Sequence, residues 1–174
     1  MQVSLVMTII GPDRPGLVGQ LSAVIADHGG NWLESRMAHL GGQFAGILRV
    51  QVPVELEQKF LAALPSLETQ GLAVLVQKDI PTVLTPRQLA TIEVVGHDRP
   101  GIVRQISQVL AQQQVNIEEL TTVCESAPMS GEELFRATAQ VQLPAPGELR
   151  QLQQALEQIA SDLMVDIIVK PGQG

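Results

Sequence analysis

One stretch of eight residues occurs twice. Gly11-Pro12-Asp13-Arg14-Pro15-Gly16-Leu17-Val18 returns as Gly96-His97-Asp98-Arg99-Pro100-Gly101-Ile102-Val103, 85 residues further on. The offset persists downstream: Leu21, Val24 and Ile25 become Ile106, Val109 and Leu110, and Asn31 becomes Asn116. A chain of 174 residues made of two such copies must build two small cores. With 45% apolar and 17% charged residues it has the material to do so.

Each copy reads alike. Leu5, Met7 and Ile9 alternate with Ser4, Val6 and Thr8, and Ile92 and Val94 flank Glu93, so a half-buried strand precedes each turn. The apolar spacing after the turn predicts an amphipathic helix beginning at Pro15 and at Pro100, since proline is favoured at a first helical position. Asn31 to Leu40, a Gly41-Gly42 turn and Gln43 to Val52 predict a hairpin; Asn116 to Glu125 and Leu134 to Gln142 are its counterpart. There the connecting loop from Ser126 to Glu133 is longer, and Phe135 matches Phe44 at an offset of 91.

Leu56, Phe60, Leu64 and Leu67, then Leu149, Leu152, Leu156 and Ile159, predict one further helix per copy. Short strands, Leu72 to Val76 and Met164 to Val169, close the copies. The expected fold is α+β: two tandem ferredoxin-like βαββαβ modules, each a four-stranded antiparallel sheet with two helices on one face. The expected boundaries are 1–80, a linker over 81–88 marked by Pro81 and Pro86, and 89–174.

The strand-to-helix turn is the candidate binding element. A helix start offers free N–H donors and a partial positive charge, which suit a carboxylate, and the glycine removes a Cβ from the approach. Asp13 and Asp98 stand beside it and suit an ammonium. The candidate ligand-binding residues are Asp13, Gly16, Leu17 and Asn31 in the first copy and Asp98, Gly101, Ile102 and Asn116 in the second. The asparagine amides are expected to donate to the carboxylate. The bland alternatives are that the aspartates only cap their helices and the asparagines only form turns.

Asp-Arg-Pro-Gly after a first strand, then a helix, then an asparagine opening the second strand, resembles the ACT domain. More narrowly, Asn31 to Ala38 with Gly41-Gly42-Gln43-Phe44, and Asn116 to Leu120 with Ala127-Pro128-Met129-Ser130-Gly131 before Leu134-Phe135, resemble the glycine cleavage system transcriptional repressor family. That resemblance implies a cytoplasmic, amino-acid-sensing repressor of the glycine cleavage genes that acts through a DNA-binding protein, with glycine as ligand; serine would satisfy the same carboxylate and ammonium sites. One departure is that Pro12 in the first turn is His97 in the second.

Composition narrows the remaining classes. A net charge of −7 and 2% aromatic residues disfavour direct nucleic-acid or membrane-surface contact. Cys124, the single cysteine, is expected to be a small buried hydrophobe, and His28, His39 and His97 lack metal-ligand spacing. Neither a nucleophile motif nor a phosphate loop is present, so no catalysis, metal or cofactor is expected. Uncovered sheet faces and edges predict a homodimer or larger assembly. The competing readings are an interaction or scaffold module without a ligand, and a detached allosteric subunit of an amino-acid-metabolising enzyme.

Overall fold

The computed structural model describes residues 1–80, 88–126, 133–145 and 147–172. The expected linker 81–88, all but its last residue, and most of the long hairpin loop after Ser126 lie outside the described residues. The chain divides into two compact units, Met1–Thr82 and Val83–Gly174.

The first unit runs β1 (Gln2–Pro12), α1 (Leu17–Asp27), β2 (Asn31–Leu40), β3 (Gln43–Pro53), α2 (Glu57–Ala63), α3 (Pro65–Thr69) and β4 (Ala73–Lys78). The second runs β5 (Gln88–His97), α4 (Ile102–Gln112), β6 (Asn116–Ser126), β7 (Glu133–Leu143), α5 (Leu149–Leu163) and β8 (Val165–Pro171). All strand pairs are antiparallel, in the orders β2-β3-β1-β4 and β6-β7-β5-β8. This is the α+β architecture that the repeat predicts.

Alternation decides which face is covered. Leu5, Met7 and Ile9 are buried with Leu48, Val50 and Val52 against Leu17, Leu21 and Ile25 of α1 and Phe60, Leu64 and Leu67 of the later helices. Ala90, Ile92 and Val94 do the same against Ile102, Leu110, Leu152, Leu156 and Leu163. Gly41 and Gly42 take positive φ (57° and 76°), the conformation that a two-residue hairpin turn demands. Both edge strands slip register at the same place, between Trp32 and Glu34 and between Ile117 and Glu119.

Three expectations on the elements are corrected. Neither first helix begins at its proline: α1 starts at Leu17 and α4 at Ile102, with Gly16 and Gly101 as N-caps in the left-handed region (φ 92° and 102°). The chain leaving each strand has to reverse, and a positive φ before the first helical residue accomplishes this. The single later helix of the first unit is two helices, because Pro65 lacks the N–H that a continuous helix would use and instead opens α3. Leu56 falls outside both, in a short 3-10 turn.

Candidate functional site

The turn after β1 is tied to the end of the neighbouring hairpin. The Asp13 amide donates to the Gly42 carbonyl (2.9 Å), and the Asp98 amide donates to the Glu133 carbonyl (2.9 Å). Gly16 accepts the first intrahelical bond of α1 from the Gln20 amide (2.9 Å), and Gly101 accepts that of α4 from the Gln105 amide (3.0 Å). The amides of Leu17, Val18 and Gly19 therefore precede the first intrahelical donor and lack a partner along the helix. Neither cap carries a side-chain hydrogen bond, so Asp13 and Asp98 do not cap their helices.

In the first unit these groups line an open cleft of ≈ 200 Å³, bounded by Asp13, Arg14, Gly16, Leu17, Val18, Gly19 and Phe44. The side chains of Leu17 and Ile102 are buried in their cores, which leaves only their backbones for a ligand. His39 stands on the rim, its Nε2 3.6 Å from Asp13 Oδ2. Both groups are well exposed, so the pair is weak and Asp13 stays accessible to an incoming cation. A cleft with an acidic wall and a helix start at its floor can hold the two charged ends of a small zwitterion.

Asn31 and Asn116 are not brought to these turns. Asn31 is level with Gln51 and hence with Ser4 of β1, eight residues from Pro12 where the turn begins. Asn116 is level with Gln142 and Leu89, eight residues from His97. At strand rise, eight residues span roughly 26 Å. Within one module neither asparagine reaches a ligand held by its aspartate. Asn116 Nδ2 instead donates to Glu118 Oε1 beside the register slip (2.8 Å).

The residues that do reach the turn include some with no obvious signal. His39 and Cys124 occupy equivalent places, opposite Phe44 and Phe135. Strand counting back from the Gly41-Gly42 turn would have found His39. Cys124 is exposed, not buried, because β6 is an edge strand whose every residue is exposed. Its thiol is nevertheless held above the ordinary cysteine range, first by local desolvation and then by the carboxylates of Asp98 and Glu133. Gly19 leaves the first turn of α1 bare, with no atom within 4 Å of a Cβ built there. The residue 85 positions later, in the first turn of α4, is Arg104.

Two βαββαβ modules in one chain, each with a glycine-capped helix start beside an aspartate, define a tandem ferredoxin-like α+β fold. The profile of the ACT domain matches residues 4–77 and again 86–161. The chain belongs to the ACT-domain family and carries two such domains in tandem. It is 29% identical to phosphoserine phosphatase SerB2 of Mycobacterium tuberculosis over 97% of its own length but spans only 41% of that protein. It is 24% identical to the glycine cleavage system transcriptional repressor of Escherichia coli over 91% of this chain and 85% of that one. A solved structure of an unknown protein from Galdieria sulphuraria superposes with a TM-score of 0.84 at 30% identity, over 99% of this chain and all of the other.

Among the described residues no group of three or more His, Cys, Asp or Glu side chains is placed to hold a metal ion. Nor is any described helix long and apolar enough to cross a membrane.

Proposed function

We propose that this protein is a non-catalytic amino-acid sensor that restrains expression of glycine cleavage genes in the cytoplasm by contacting a DNA-binding protein. The observation that carries the sensing part is the first-unit cleft, where Asp13 faces the start of α1. In this reading the ligand's carboxylate sits on the amides of Leu17, Val18 and Gly19, and its ammonium on Asp13. The cleft suits glycine or serine, whose side chains add little bulk. Asp98, Gly101 and Ile102 offer the same arrangement in the second unit, with Arg104 and Cys124 changing its character. Asn31 and Asn116 are not assigned to the same ligand as their aspartates.

Transcriptional output rests on the likeness to the Escherichia coli repressor over most of both chains. Action through a protein accords with the net charge of −7, which repels a phosphate backbone. Self-association through exposed edge strands such as β6 belongs to the same proposal. A second reading, an allosteric subunit or segment of an amino-acid-metabolising enzyme, is favoured by the likeness to part of a phosphoserine phosphatase.

Calorimetry of the purified protein against free amino acids tests the sensing claim, and glycine or serine is expected to bind in preference to bulky ones. Heat indistinguishable from dilution across the panel would leave only the scaffold reading. Co-purification then decides the output: a DNA-binding protein supports repression, an enzyme supports the second reading.

A further inference from the structure

Arg14 and Arg99 bridge, in each unit, two places that are far apart in sequence. Arg14 Nη2 donates to Gln20 Oε1 (3.0 Å) and to the Gln70 carbonyl (2.8 Å), and Gln70 is the C-cap of α3. Arg99 Nη2 donates to the Asp162 carbonyl, in the last turn of α5. Neither helix has a basic residue in its own last turn. A helix end leaves carbonyls without intrahelical partners and carries a partial negative charge, so a remote guanidinium supplies both the donor and the cation that the helix lacks. Both acceptors are backbone carbonyls at a helix end, and although their sequence offsets differ the contact forms in both units.

The backbone reinforces the same joint. A Cβ on Gly11 would collide with the Gly71 carbonyl oxygen, and one on Gly96 would come within 2.6 Å of that of Met164. The first strand thus presses on the link between last helix and last strand, just before the arginine clasps the helix end. That link leads into β4 or β8, an outermost strand of its sheet.

We propose that Arg14 and Arg99 are positioning residues that make the turn after the first strand and the start of the outermost strand move as one body. A ligand that orders the turn then also orders β4 or β8. The ligand half of this claim rests on the binding reading above; the unliganded half does not.

Backbone hydrogen exchange of the full chain tests both halves. Without ligand, Arg14→Gln should speed exchange about five-fold at Leu72 and Ala73 and also at Gln20, while β8 is unaffected. Arg99→Gln should do the same at Val165. Lysine, which keeps the charge but not the fork, should give an intermediate effect and serves where the glutamine variant does not fold. With 10 mM glycine, the parent should gain protection at both the turn and the strand start, and Arg14→Gln at the turn alone. Unchanged exchange at Leu72 and Ala73 in unliganded Arg14→Gln would overturn the proposal. So would a glycine effect that still reaches β4 without the arginine. A parent that glycine leaves unprotected everywhere refutes the binding reading and leaves the unliganded comparison to decide this one.

Discussion

Replacing Gly19 by arginine gives the first unit the residue that the second carries at Arg104, and it separates binding from folding. A Cβ at position 19 meets no atom within 4 Å. The site lies in the first turn of α1, so leaving glycine gains about 0.8 kcal/mol of helix propensity. A cation near a helix N-terminus returns about 0.3 to 1 kcal/mol of that. The unliganded variant is therefore expected to be as stable as the parent to within about 0.5 kcal/mol. The longer side chain, however, rises from the wall of a cleft of only ≈ 200 Å³. Glycine itself, with roughly five non-hydrogen atoms, cannot bind more tightly than about −7.5 kcal/mol, or micromolar Kd. At a hundred times Kd any bound ligand stabilises by about 2.7 kcal/mol, a rise in Tm on the order of 10 to 20 °C for a unit of this size. Thermal melts with and without glycine should give that rise in the first unit's transition for the parent, none there for Gly19→Arg, and the full rise for Gly19→Ala. An arginine variant that melts with the parent's ligand shift would refute the cleft as the site.

The same geometry sets other outcomes. Asp13→Ala should weaken calorimetric binding by about 1 to 3 kcal/mol, while Asn31→Ala leaves it unchanged, because the two stand at opposite ends of β1. Maleimide labelling of Cys124 should reach half its limiting rate at a pH above that of a free thiol, and Asp98→Asn should move the midpoint down, since removing the carboxylate favours the thiolate. A midpoint unmoved by the substitution would discount Asp98 as a cause. The second unit has a partly open apolar cleft of ≈ 30 Å³ lined by Ala139, where the first unit places buried Leu48. Ala139→Val should fill it and raise stability by about 0.7 kcal/mol, read as a later urea midpoint.

The order of elements was readable because two copies vouched for each other: a strand seen dimly at Glu93 is plain at Leu5, Met7 and Ile9. Hairpin register was likewise fixed by Gly41 and Gly42. What sequence could not supply was the length of the path between motifs. Asp13 and Asn31 recur at equal spacing, which suggests one site, yet a helix and a strand start intervene and carry the chain to the opposite end of the sheet. Equal spacing reports a shared fold, not a shared ligand. The turn glycines are a related case. Gly16 and Gly101 are required by a φ near +100°, so a β-branched residue there would strain the backbone and could not serve as a clean block to binding.

The two copies also separate what folding needs from what function has altered. Positions that face the helices keep their character: Leu5, Met7 and Ile9 answer Ala90, Ile92 and Val94, all buried. The opposite faces have diverged. In the first unit Ile10, Ile47 and Leu75 stand exposed on adjacent strands, Ile47 and Leu75 both level with Thr8. Both faces carry ion pairs, Arg49 with Glu34 and Asp79 in the first unit and Glu93 with Lys170 and Arg136 with Glu125 in the second, where Ile168 keeps the exposed apolar place of Leu75 but Thr138 stands where the first unit has Ile47. At the turns Pro12, Gly19 and His39 have become His97, Arg104 and Cys124. Loss of selection would erode both faces and the turn glycines alike. Instead Gly11, Gly16 and the aspartates and arginines of the turn persist in both copies while their immediate neighbours change. That pattern fits two units that keep one mechanical device, the arginine-braced turn, and give it different chemistry to read.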